Sequence, residues 1–273
     1  MLGFLGAGNM NGAIIRGVLD AGTYTADQIV FTSTDDASAQ QLVSELGITR
    51  VPSNRKLVNA LGEGGILVVG VKPNVIGEVL NEIWEVAAAN HTVIVSIAAG
   101  TEISAIAEPL SAKQPIVRIM PNVAAQIGAG MSAICANEWV SSEQLSAVTD
   151  IFSAVGAVAQ IAEKDFATFS AIASCSPAWT FTYIDALARA ALAHGIPKTE
   201  AVRIAAQAVQ GSAQLVLEKL SQAAPANLVD QVTSPGGTTI AGLLAMEEAG
   251  FSAAVVTGVD AAIARDNEIQ AGA

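Results

Sequence analysis

Along the first 160 or so residues, short apolar runs alternate with stretches in which apolar residues return every three or four positions. The runs are Leu2–Leu5, Ile29–Thr32, 66–71, 93–98 and Ile116–Met120, and each closes near Gly, Pro or a small polar residue. Read as strands with helices between them, they predict a parallel sheet covered on both faces, with ligands at the carboxyl ends of the strands. "GMSAICA" and "GAVAQI" add strands at the far edge, joined by a helix from about Ser141.

After Glu163 the pattern changes. Alanine-rich helical periodicity continues through 164–194, 198–221, 225–231, 238–249 and 252–270, with no strand pattern among them. Gly195 is placed as a helix C-cap and Pro197 opens the next helix. The fold class is therefore α/β, a doubly wound sheet over residues 1–162 followed by an all-α domain over 163–273. Several of these helices are apolar on more than one face, more than a bundle of this size buries alone, so the domain is expected to form the core of a dimer.

Composition narrows the partners. The chain has 273 residues, 52% of them hydrophobic, and a net charge of -12, which repels nucleic acid and anionic membrane surfaces. An anionic ligand must therefore be held by local groups. The uncharged stretch 166–184 has the length of a membrane span, but six of its 19 residues are Ser or Thr and Pro177 lies inside it, so it reads as a buried helix. The N-terminus opens on an apolar strand without a basic segment before it. Cys135 and Cys175 have no metal-ligand spacing around them, so no metal site and a reducing, cytoplasmic setting are expected.

The candidate chemistry lies at the strand ends. "FLGAGNMNGAI" follows the first strand: Gly6 permits the tight turn, and Gly8 lets a pyrophosphate reach the backbone and the helix N-terminus. Asn11 stands where a third glycine is usual. At the end of the second strand, "FTSTDD" leaves the ribose readout open: hydroxyls with Arg55 nearby suit a 2'-phosphate, whereas Asp35 suits a 2'-hydroxyl. "GVKPN", "SIAAG" and "RIMPN" close later strands at the same edge. Lys72 supplies a charge there, small residues leave room for a nicotinamide, and Arg118 faces the same crevice or forms an ion pair at the sheet edge. His91 and His194 stand alone, and no hydrolytic constellation can be assembled, which favours hydride chemistry carried by a cofactor. "VTSPGGTTIAG", 232–242, exposes backbone N–H groups and then starts a helix, as a cradle for an anion would.

Taken in order, these motifs resemble those of the pyrroline-5-carboxylate reductase family over essentially the whole chain. The resemblance implies a Rossmann-like domain followed by a helical dimerisation domain. It implies an oxidoreductase that reduces 1-pyrroline-5-carboxylate to L-proline with NADPH, NADH also being usable, in the last step of proline biosynthesis. It further implies a homodimer, or a larger ring such as a decamer. Carried over by position, Gly6, Ala7, Gly8, Asn9 and Met10 resemble the pyrophosphate loop and Ser33 and Asn54 the adenosine ribose contacts. Val71, Lys72, Pro73 and Ala98 resemble the wall beside the cofactor. Ser234, Pro235, Gly236, Gly237, Thr238 and Thr239 resemble the substrate loop, with Thr239 expected at the ring nitrogen and Ser234 at the carboxylate. "ASCSPA", 173–178, departs from the family's glycine-containing motif and leaves close helix approach there open. The nearest alternative is a beta-hydroxyacid dehydrogenase-like oxidoreductase, whose catalytic helix lysine and further glycine-rich helix motif are not evident.

Overall fold

The computed structural model describes residues 1–270; the last three positions of the expected second domain lie outside the described residues. In chain order the elements are β1 Leu2–Leu5, α1 Asn9–Asp20, β2 Ile29–Thr32, α2 Asp36–Leu46, β3 Thr49–Arg50, α3 Asn54–Leu61, β4 Ile66–Val69, α4 Ile76–Ala89, β5 Val93–Ser96, α5 Ile103–Ala107, β6 Ile116–Met120, β7 Gly130–Ala136, α6 Ser142–Ser153 and β8 Gly156–Gln160. There follow α7 Phe166–Phe169, α8 Ser176–Ala193, α9 Lys198–Lys219, α10 Pro225–Val232, α11 Thr238–Glu248 and α12 Phe251–Gln270. By packing, the chain forms two compact units: Met1–Ser174 with the chain from Ala262, and Cys175–Ala261.

The first unit holds one eight-stranded sheet in the order β3-β2-β1-β4-β5-β6-β7-β8. All neighbours run parallel except β6 and β7. Successive side chains of a strand point to opposite faces, and the inner strands divide accordingly. Leu2, Phe4, Ile29, Phe31, Val68 and Val95 enter one core with Ile14, Val18 and Phe152. Leu5, Val30, Leu67, Val69 and Ile94 enter the other with Leu57, Leu80 and Ile83. This explains why the strands read as unbroken apolar runs: both faces are covered. Each such side chain contributes about 1.5–3 kcal/mol by leaving water.

Caps fix the helices that surround the binding edge. The Asp35 carboxylate accepts the Ala37 N–H at 3.0 Å ahead of α2, and the Ser53 hydroxyl accepts the Lys56 N–H at 3.3 Å ahead of α3. Three departures from the expected elements matter. The strands at 66–71 and 93–98 end two residues early, where the backbone leaves the sheet to form the binding edge. The two-residue β3 has no apolar signal at all, since Thr49 and Arg50 are both exposed.

The expected helix over 164–194 is the third departure. It is interrupted by a π-helical stretch, Ser170–Cys175, between α7 and α8. Pro177 has no N–H to donate to the Ala173 carbonyl four residues back, and its ring crowds that oxygen, so the α-helical ladder widens there. Asn122 Nδ2 takes the Ala173 carbonyl instead, at 2.9 Å. Ala173 itself packs with Phe166 and Phe169 of its own segment and with Ala133 and Cys135 of β7.

The second unit is helical throughout. Within it Ala188, Ala201 and Ala205 are buried. Asp185 pairs with Arg189 within α8 at 2.5 Å and reaches the start of α9 through Lys198 at 2.7 Å, and the Tyr183 and Phe251 rings lie 6.1 Å apart. None of the residues of α10, α11 or α12 for which burial is described is buried. Among the described residues no single helix is long and apolar enough to cross a membrane; α11 and α12, bent by 50°, meet that test only as a pair and only by length and composition.

Candidate functional site

A cavity of about 1170 Å³ opens at the carboxyl ends of β1 to β4. That is at the upper end of the range for small-molecule sites and suits a dinucleotide. Gly6, Ala7 and Gly8 form one wall, Ser33 and Asn54 a second, Val71 and Lys72 a third. No side chain caps α1 and its first turn carries no acid, so its leading N–H groups and the positive end of the helix are left for an anion. A smaller cavity of about 260 Å³ is lined by Met10, Ile97, Ala99, Met120 and Pro121, and it shares Gly70 and Val71 with the larger one. Its apolar lining suits the uncharged end of a dinucleotide, a nicotinamide ring.

The fold therefore brings together most of the residues expected at the cofactor. Asn9 is exposed at the first position of α1, and Pro73 is exposed at the start of a short 3-10 turn for which Lys72 is the N-cap. Ala98 is buried among Leu5, Val69 and Ile94, while its neighbours Ile97 and Ala99 line the smaller cavity.

At the end of the cavity lined by Ser33 and Asn54, where the ribose is expected, the amide of Asn54 is oriented at both ends. Its Oδ1 accepts the Thr32 hydroxyl at 3.0 Å and its Nδ2 donates to Glu82 Oε2 at 2.7 Å. Asp35 is occupied as the cap of α2, and the Ser38 hydroxyl bonded to it at 2.6 Å, followed by backbone N–H groups, holds its carboxyl below the usual value. Arg55, expected near the ribose, instead pairs with Glu85 at 2.8 Å and does not line the cavity. The cation at this end is Arg50, whose guanidinium donates to the Ser33 carbonyl at 2.8 Å and to Asp36 at 2.6 Å. Sequence reasoning missed it because β3 is polar, exposed and two residues long; the Arg itself, four residues before Asn54, was the available signal.

Arg118 is buried within the sheet and pairs with Glu163 at 2.9 Å, over the ring of Phe166 at 4.5 Å. Glu163 also accepts the Ile103 N–H at 2.7 Å. The ion-pair alternative for Arg118 is the one realised. Cys135 is paired with Arg118 across the β6–β7 ladder, and burial, then the Glu163 carboxylate, pushes its thiol up to about 12.

In the second unit, Ser234–Gly237 form a tight turn closed by Gly237 N–H donating to the Ser234 carbonyl at 3.0 Å. Pro235 occupies its second position and Gly236, with φ +68°, its third, a place that demands the left-handed region. Gly237 is the N-cap of α11, no side chain caps that helix, and Thr238 and Thr239 are exposed in its first turn. The glycine turn expected ahead of a helix is present, but the Gly237 N–H, expected in the anion cradle, is spent on the Ser234 carbonyl; the residues expected at the cofactor belong to the first unit and this turn to the second.

Residues 163–269 match the family model described as pyrroline-5-carboxylate reductase dimerisation, and residues 1–100 match that of NADP oxidoreductase, coenzyme F420-dependent. The chain is 35% identical over 268 residues to the pyrroline-5-carboxylate reductase of Synechocystis sp., covering 98% of this chain and 97% of the relative. It is 38% identical over 256 residues to that of Escherichia coli, covering 93% of each. The crystal structure of Plasmodium falciparum pyrroline carboxylate reductase with NADP bound superposes with a TM-score of 0.87 at 29% identity, covering 98% of this chain and 97% of that one.

Proposed function

This chain belongs to the pyrroline-5-carboxylate reductase family, and from that premise we propose that it reduces the C=N bond of 1-pyrroline-5-carboxylate to give L-proline, using NADPH and, less well, NADH. The observation that carries the reading is identity above one third to named reductases over nearly the full chain, on a structure whose strand ends form a dinucleotide-sized cavity. The cofactor, when bound, supplies a hydride to the ring carbon, and a proton completes the ring nitrogen. The task of the protein is orientation, since the protonated C=N is already an electrophile.

Gly6, Ala7 and Gly8, with the start of α1, would hold the pyrophosphate, and Lys72 lies along the same cavity as a neutralising charge. Ser33, Asn54 and Arg50 would receive the adenosine ribose and its 2'-phosphate. Met10, Ile97, Ala99, Met120 and Pro121 would exclude water around the nicotinamide. In the second unit, the N–H groups of Gly236, Thr238 and Thr239 would cradle the substrate carboxylate with Ser234, the Gly237 N–H being held by the Ser234 carbonyl, and the Thr239 hydroxyl would bond the ring nitrogen.

We take residue 162 as the functional boundary between the nucleotide domain and the helical domain, supported by the start of the dimerisation match at 163. The helical domain provides the homodimer contact, and a ring of dimers such as a decamer is the larger assembly we propose. The two free cysteines suit a cytoplasmic enzyme. Consumption of NADPH at 340 nm that depends on pyrroline-5-carboxylate and yields proline is the expected result; no turnover by the folded protein would refute the reading.

A further inference from the structure

Asn11 occupies the third position of the dinucleotide fingerprint, where the usual glycine permits close packing of helix on strand. Here its carboxamide is buried, the residue being only 2% exposed, and it is anchored. Nδ2 donates to the Gly6 carbonyl at 2.8 Å and to the Leu5 carbonyl at 3.2 Å, the two carbonyls at the junction of β1 and the loop. The Leu5 carbonyl also accepts the Gly70 N–H at 3.0 Å, so β1 and β4 are joined through one oxygen at the point where both strands end. Gly6, at φ +95°, lies over the same place: a Cβ built on it would come 3.1 Å from the Gly70 carbonyl oxygen.

Gly70 completes the arrangement. A Cβ built on it would overlap the Asn11 carboxamide itself, so the amide fills the space that any side chain at 70 would need. Asn11 cannot retreat without losing both carbonyls. Gly70 and Val71 are also the residues common to the two cavities, so a shift there moves the wall between them.

We infer that Asn11 and Gly70 are an interdependent pair, with Asn11 a positioning residue that holds the Gly6–Gly8 loop in the shape that receives a pyrophosphate. The inference rests on the dinucleotide reading above. It makes residue 70 intolerant of a methyl group only because Asn11 is present, and it makes the loop's anion affinity depend on a side chain that does not line the cavity.

The test is a double-mutant cycle on the full chain, read as the Kd for NADPH by nicotinamide fluorescence and as the Kd for adenosine 2'-phosphate, which has no pyrophosphate. Asn11→Ala is expected to weaken NADPH roughly tenfold, since it removes two hydrogen bonds to the loop carbonyls, and to leave adenosine 2'-phosphate within about twofold. Gly70→Ala alone is expected to weaken NADPH roughly a hundredfold. Added to Asn11→Ala, the same change is expected to cost less than about threefold. Wild-type NADPH affinity in Asn11→Ala, equal weakening of both ligands, or losses that multiply in the double variant would each overturn the pair. If Gly70→Ala fails to fold, a folded, NADPH-binding double variant supports the pair and an unfolded one overturns it. A wild-type chain that binds no NADPH is a separate result, because it removes the dinucleotide reading itself.

Discussion

The sheet-bearing unit and the helical unit are built from similarly apolar sequence and spend it differently. In the first, the inner strands bury every residue, and two cores close on the two faces of one sheet. In the second, three alanines are buried while Phe181 is 61% exposed, Leu217 68%, Leu220 66%, Val232 64% and Leu244 62%. A doubly covered sheet satisfies its own apolar surface, whereas helices apolar on several faces leave a remainder exposed. The first unit closes its own cores, and the second leaves large apolar side chains exposed, in keeping with its match to a dimerisation domain.

The sharpest way to break that comparison is to charge the remainder. Leu217→Glu with Leu220→Glu is expected to abolish self-association in sedimentation velocity and to lower reductase activity more than about a hundredfold, because an uncompensated carboxylate in a buried interface costs about 3–5 kcal/mol. NADPH affinity should hold within about twofold. A double variant that still associates and turns over would mean that these leucines are not the covered face.

Next in size, Thr239→Ala and Ser234→Ala should each cost roughly tenfold to a hundredfold in kcat/KM, about 1.5–3 kcal/mol for a bond to a charged group, with NADPH affinity unchanged. The Thr239 loss should appear mainly in kcat and the Ser234 loss in KM. Weakened NADPH binding in either variant would move this turn from substrate to cofactor.

Within the first unit, Arg50→Ala should weaken NADPH about tenfold and leave NADH unchanged. The effect is kept modest because the Arg50 side chain is 35% exposed and already engages Asp36. Equal loss for both nucleotides would deny Arg50 the 2'-phosphate. The smallest effect concerns Cys135: with its thiol pushed up to about 12, only about one molecule in ten thousand is thiolate at pH 8, so the native chain should leave it unalkylated while the denatured chain reacts there. Ready labelling of native Cys135, read by peptide mass, would show that the β6–β7 face opens.

What was legible in the chain was whatever is encoded by neighbours along it. Runs such as Ile29–Thr32 and Ile116–Met120 announce buried strands because each must be apolar on both faces, and the glycine fingerprint and the Pro-Gly turn announce themselves because few residues adopt their backbone. Arg50 was not legible, since a two-residue polar strand has no period to detect and its place beside Ser33 depends on β2 pairing with β3. The break at Ser170–Cys175 was hidden for a similar reason: Pro177 signals a disturbed helix, but the partner that accepts the disturbance, Asn122, is about fifty residues away.

The sequence by itself thus determined the order of the main strands and helices, the change from sheet to helices near residue 163 and the glycine turns ahead of α1 and α11, because these depend on periodicity and on local conformational freedom. The tertiary structure alone decided that Arg50 lies beside Ser33, that Arg118 is spent on Glu163, and that the Asn11 amide fills the space above Gly70. Those outcomes depend on distances between strands that meet only after folding, and no pattern along the chain encodes them.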